Sequence, residues 1–246
     1  MRDPIVAPAA PVPSAIAARA RGLAVATDRP LRVALLAVLL AVGSCGVSED
    51  GDSSHKINGS VHVAAGKPAG SAETVNGSVH VDANAAVTQA ATVNGAIHIG
   101  AHATASSVKT VNGAVTIDDG ARVSGSIEAV NGGVTMHEGS DVAGSLKNVS
   151  GRIELTGAHV GGGIRTVSGD ISVLGASKVE GGLVVQKPGA SITISDPPRI
   201  VIGPGASVQG ELRFERDVRL FVSDKATIGA VTGATAVSFS GDSPPN

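Results

Sequence analysis

The chain has no Trp, no Tyr and three Phe in 246 residues. Aromatic side chains dominate the cores of ordinary sandwiches and barrels. Their scarcity excludes a thick core of that kind. A single Cys excludes an internal disulfide and any cluster of Cys ligands around a metal. Charge is close to balance, with 19 Lys and Arg against 21 Asp and Glu. That excludes the basic footprint of a nucleic-acid binder. Missing too are a nucleophile elbow, a phosphate-binding Walker loop and a dinucleotide fingerprint. What remains is 33 Gly and many Val, Ile and Thr. Together they imply a thin core built from short strands.

Those residues repeat. Asn-Gly pairs begin at Asn58, Asn76, Asn94, Asn112 and Asn131, and Ser-Gly replaces them at Ser150 and Ser168. The period of 18 or 19 residues is that of a repeat architecture. One Asn-Gly pair between β-branched residues would signal a hairpin. Two further columns argue against it. One runs Gly66, Asn84, His102, Gly120, Gly139, Gly157 and Gly175. The other is a Val-x-Gly-x-Ile/Leu phrase, as at Val123–Ile127 and Val142–Leu146, confined to the later repeats. Three bends in one rotational sense return the chain to its start, displaced by one strand spacing. Val75, Val81, Val87, Val93 and Ile99 recur every six residues, and Val111, Ile117 and Val123 continue the series. The expected fold is therefore all-β: a single-stranded parallel β-helix with triangular coils of 18–19 residues. Its Asn-Gly corners would exploit the tolerance of both residues for positive φ. About nine coils at a spacing of about 4.8 Å give a stack about 43 Å long. The pattern itself does not set the hand of the helix.

The period divides the chain. The solenoid is expected over residues 57–233, with a disordered tail over 234–246. Consecutive Val-x-Gly-x-Leu phrases at Val179 and Val208 stand further apart than one coil, so residues 186–199 should leave the stack as a loop. Pro197-Pro198 bars a regular inner strand there. Asn58, Asn76, Asn94, Asn112 and Asn131 should stack as a hydrogen-bonded amide ladder, continued by Ser150 and Ser168. Their "NGS" triplets at 58 and 76, and "NVS" at 148, also match the glycosylation pattern. His62, His80 and His98 are 18 residues apart and flanked by apolar residues. They form an outward ladder, a candidate metal-ligand set. The column runs on as Thr116, Thr135, Glu154 and Ser172, with no carboxylate column expected beside it, so the expectation is a solvated face with no metal and no cofactor. Phe214, Phe221 and Phe239 gather near the C-terminal end, where they would cap the stack or form an end-to-end contact.

The N-terminal region differs in composition. Residues 1–30, rich in Ala, Pro and Arg, are expected to be disordered or to precede the true start. Residues 31–45 carry Arg32, the apolar run Val33–Val42 and then "VGSC" at 42–45. Ten apolar residues are too few to span a bilayer but suit a secretory signal. "VGSC" resembles the lipobox of bacterial lipoproteins, which implies cleavage and lipidation at Cys45. The remainder would hold 14 basic and 19 acidic residues, with 46–56 as a polar tether. Gly46, in place of Asp, resembles lipoproteins sent to the outer membrane of two-membrane bacteria.

Phrases such as "GARVSGSI", "GAHVGGGI" and "IVIGPGASVQGEL" resemble the bactofilins, polymer-forming cytoskeletal proteins of bacteria. That resemblance implies a right-handed helix, end-to-end polymerisation without nucleotide and a cytoplasmic location. The "TVNGAVTI" phrases are also similar to adhesin-type β-solenoid domains of envelope proteins. "IGAHAT" and "IGPGAS" are similar to the hexapeptide repeat of acyltransferases, which would imply acyl transfer by a catalytic His. The lipobox favours the envelope. The expected function is a non-catalytic, lipid-anchored structural or adhesive protein, with the membrane as its partner through the lipid. A bactofilin-like scaffold that self-associates end to end comes second, and an acyltransferase third.

Overall fold

The computed structural model describes residues 53–189 and 196–244. The extension, the signal segment with Cys45 and residues 46–52 of the tether lie outside them, as do residues 190–195 of the loop.

The described residues form a parallel β-solenoid with no helix. One side of every coil belongs to a ten-stranded sheet that starts at Val61–Val63 and ends at Ala236–Phe239. The other two sides form a sixteen-stranded sheet. Pairing is parallel and in register: Val79 opposes Val61 and Ile97, and Asn76 opposes Asn58 and Asn94. No Asn-Gly pair closes a hairpin. Each is the corner between two sides of one coil.

The core is a set of residue columns threaded through the coils. Val81, Ile99, Ile117 and Met136 make one, and Ala90, Val108, Ile127 and Leu146 another. Each of these residues is buried. The six-residue series holds at Val81, Val87, Ile99, Ile117 and Val123 but fails beside the Asn-Gly corner. There Thr74, Thr92 and Thr110 point inward, while Val75 and Val93 are only half-buried, although Val111 is buried. The inward hydroxyls have a task. Thr74 and Thr92 donate to the carbonyls of Gly59 and Gly77 at 2.9 and 2.8 Å, so a corner peptide group finds a partner inside the stack. A buried carbonyl without a partner would cost about 1–3 kcal/mol.

The three corners use Gly for two different reasons. At the second column the backbone is left-handed: Gly120 has φ 65°, and Asn84 and His102 adopt 59° and 58°. At the Asn-Gly corner the expected positive φ is found at Gly59 (101°) and at the matching Gly151 (122°) but not at the Asn, and crowding is a further constraint. A Cβ built on Gly95 would overlap the carbonyl oxygen of Gly77 in the preceding coil. The Val-x-Gly-x-Ile corner follows the same rule, since a Cβ on Gly144 would strike Gly125. Early coils lack this third Gly. Their second and third sides run as single nine-residue strands, Pro68–Asn76, Ala86–Asn94 and Thr104–Asn112. From Arg122 onward the Gly splits them into pairs such as Arg122–Val123 and Ile127–Asn131.

Both ends of the solenoid extend beyond 57–233. Ser54–Asn58 is a strand on Pro68–Asn76, so the end of the supposed tether belongs to the stack. Ala236–Phe239 pairs with Arg219–Ser223, so those tail residues form a tenth coil rather than a disordered segment. The loop rejoins the stack at Arg199, which opens the strand Arg199–Ile202 and brings Ile200 opposite Ile171.

These two uses of Gly separate by mutation. Gly95→Ala should destabilise the fold by about 2 kcal/mol or more, because backbone must move to admit the methyl. His102→Gly relieves a left-handed non-Gly residue and should stabilise it by about 0.5–1 kcal/mol. Urea denaturation of the two variants beside the parent checks both signs.

Candidate functional site

Strands of pattern Val-His-Val bury their flanking residues and turn the middle one outward. In-register stacking then sets His62 opposite His80 and His80 opposite His98. The ring centroids lie 5.3 and 4.6 Å apart. The column continues through Thr116, Thr135, Glu154 and Ser172, and ends in Val201, Phe221 and Val237.

Carboxylates do stand beside the His column, which corrects the sequence expectation. Asp82 follows the strand Val79–Val81 at its corner and reaches back one coil. His62 Nε2 lies 2.8 Å from Asp82 Oδ2, and His80 Nε2 lies 3.4 Å from Oδ1. Asp118 reaches back to His98 in the same way, with Nε2 to Oδ2 at 2.7 Å. Gly100 occupies the equivalent corner in the coil between, so His80 has no carboxylate of its own and shares Asp82. The other nitrogens of His80 and His98 meet, Nδ1 to Nδ1, at 3.0 Å. The hydrogen bond from His62, helped by the charges of His62 and His80, holds the Asp82 carboxyl below its ordinary value of 3.8. Among the described residues, no group of three or more His, Cys, Asp or Glu is placed to hold a metal ion.

The Asn ladder forms on the Asn-Gly corner. Asn76, Asn94, Asn112 and Asn131 each donate from Nδ2 to the Oδ1 of the Asn one coil before, at 3.1, 3.0, 2.9 and 3.2 Å. All four bonds point the same way along the stack. Ser150 and Ser168 keep the position but do not extend the run in the same manner: Ser168 turns its hydroxyl to the carbonyl of Val149. Asn148 of the "NVS" triplet is 1% exposed, and its Nδ2 donates to the carbonyls of Gly151 and Gly132. Burial closes that position to glycosylation of the folded chain.

The three Phe do not act together. Phe214 is buried in the core column, opposite Val185. Phe239 is buried in the last coil, opposite Ser223. Phe221 faces outward, and the Arg199 guanidinium lies 4.9 Å from its ring centre. Phe239 thus lies in the terminal coil, Phe214 in the interior and Phe221 on a side face. Among the described residues no helix is long and apolar enough to cross a membrane, and Cys45 with its apolar run lies outside them.

Two outcomes follow from these ladders. An inner rung has a bond on each side and the first rung one, so Asn94→Ala should cost about 1–2 kcal/mol and roughly twice the loss for Asn58→Ala. Thermal melts of the two variants measure the ratio. Folding favours the ionised Asp82, so its contribution is whole above pH 3.8 and shrinks as pH falls below that value. Stability of Asp82→Asn should therefore fall less steeply with acid there than that of the parent, as read by urea midpoints.

Compared with family models, with curated proteins and with solved structures, the chain matches none.

Proposed function

We propose that the chain is an exported, lipid-anchored β-solenoid with a structural or adhesive role in the bacterial cell envelope, and that it performs no catalysis. The observation that carries this reading is the join between an acylation-type leader and a stack of ten coils whose interior is filled by side chains. An apolar run ending in Val42-Gly-Ser-Cys45 supplies the anchor, and the polar stretch after it supplies the tether. Ten strands at a spacing of about 4.8 Å then hold their outer faces up to about 43 Å from the first coil. Such a body suits a spacer or a display surface. The membrane is the partner at one end, and an envelope component is the partner along the faces.

A second reading, a bactofilin-like scaffold that polymerises end to end, has its own support. The coils are parallel, so the strands at one end have the direction needed to pair with those at the other end of a second copy. Ile57 near the first edge is 67% exposed and Val237 at the last is 49% exposed. Exposed strand edges of this type are templates for pairing.

Expression of the full chain in a bacterial host with an alkyne-labelled palmitate tests the first reading. Label incorporation that disappears in Cys45→Ala, together with surface biotinylation of intact cells, is the expected result. An unlabelled chain confined to the cytoplasm would overturn it. Filaments that lengthen with protein concentration under the electron microscope would then favour the second reading, and isolated short rods would remove it.

A further inference from the structure

We infer that the paired Nδ1 atoms of His80 and His98 are a two-nitrogen binding site for a late first-row divalent metal ion, with copper(II) the best fit. The argument starts from the protons. A carboxylate accepts, so Asp118 fixes the His98 proton on Nε2, and Asp82 favours the same tautomer at His80. The two Nδ1 atoms, each with a lone pair, then lie 3.0 Å apart, and ring centroids only 4.6 Å apart show that the rings meet obliquely rather than head-on. Two lone pairs this close repel unless one electrophile, a proton or a metal ion, is shared by both.

The spacing selects among metals. With metal–nitrogen bonds of about 2.0–2.1 Å, nitrogens 3.0 Å apart subtend an angle of about 91–97° at the ion. That is the cis angle of a square-planar or octahedral centre. Tetrahedral zinc would need the nitrogens about 3.3–3.4 Å apart. Tetragonal nitrogen and oxygen sites favour copper(II) or nickel(II), and copper(II) binds most tightly of the divalent series. Water would complete the coordination, since the two rings are 46% and 36% exposed on their side chains. The donor set is two nitrogens, so it stands apart from the clusters of three or more protein ligands that the described residues lack.

The surroundings match a metal-binding imidazole. Ligating His residues characteristically donate the other ring N–H to a carboxylate, which fixes the tautomer and raises ligand basicity. Asp118 does this for His98, Asp82 lies within ion-pair distance of His80 at 3.4 Å, and the two negative charges offset that of the ion. Other His residues lack the arrangement. His159 meets Asp141 with one nitrogen and Glu180 with the other, so neither nitrogen is free for a partner ring. His62 has Asp82 but no facing nitrogen at a comparable distance to that of the His80–His98 pair.

Copper(II) chloride titrated into the full chain near neutral pH, followed by electron paramagnetic resonance, tests the assignment. Thr replaces His in the next rungs of the same column, at Thr116 and Thr135, so His→Thr is a substitution that the strand already accommodates. The parent should bind one copper(II) with a nitrogen-coordinated spectrum. His80→Thr and His98→Thr should each weaken binding at least tenfold, His62→Thr should change it less than threefold, and Asp118→Asn should weaken it by about 10–100-fold. Circular dichroism of each variant confirms that the coils persist. No binding above the level of the double variant H80T/H98T, or an equal loss in His62→Thr, would overturn the proposal and leave a proton as the shared electrophile.

Discussion

Everything in this molecule depends on one constraint, the parallel in-register hydrogen bonding of each coil to the next. Backbone N–H groups reach one coil along at each corner as well as within the strands, as from Gly77 to the Asn94 carbonyl and from Gly95 to that of Asn112. A single coil buries too few side chains to offset about 1–2 kcal/mol of backbone entropy per residue. Stacking supplies what it lacks, because every added coil completes the hydrogen bonds and the apolar columns of its neighbour. Gly is then compulsory wherever two corners approach within a methyl group of each other, and a buried Thr becomes useful wherever a corner carbonyl turns inward.

The same constraint places like above like, which helps some side chains and penalises others. Asn gains, because an amide is donor and acceptor at once and can repeat without limit. Thr gains on the inside for a related reason. Charges lose unless their signs vary. Glu128 stands between Lys109 and Lys147, at 3.8 and 3.3 Å. On a neighbouring column Asp141 stands between Arg122 and His159. Along these stretches the sign alternates with the coil, and repulsion becomes attraction of the modest size expected for exposed pairs. Three successive His are therefore the unusual rungs. They are tolerated because two carboxylates interleave with them and because an imidazole can be neutral.

The corners were legible in the sequence because each imposes a backbone demand that few residues meet. Gly120 and its column could be aligned by eye, and the structure finds left-handed backbone there. The inward or outward phase beside the Asn-Gly corner was less legible. Hydrophobicity favoured Val75 over Thr74, yet the strand turns Val75 aside and satisfies the Gly59 carbonyl with Thr74. The last coil is hard to see in the sequence because Ala236–Phe239 carries no Asn-Gly pair and lies closer than one full period to Arg219–Ser223. The carboxylates are hidden in the sequence for a geometric reason. A column holds residues one period apart, whereas Asp82 and Asp118 sit one period and two residues beyond His62 and His98. Counting along the diagonal of the sheet would have paired them, since a corner residue leans back over the strand beneath.

A solenoid face is a raster with one row per coil, and chemistry on it can arise only from repetition along a column or from a break in one. Repetition alone gives the Asn ladder, whose bonds are all satisfied internally and leave little for a ligand. Breaks alone give single side chains with no neighbours to act with. The His80–His98 pair combines both. Repetition brings two imidazoles within one strand spacing, and the replacement of a corner carboxylate by Gly100 makes their carboxylate support unequal. A cation shared by the two rings would leave every backbone bond of the stack in place. That separation of surface chemistry from the fold is what lets one column run from His through Thr and Glu to Phe221 while the residues on either side of it stay apolar and buried through most of the coils.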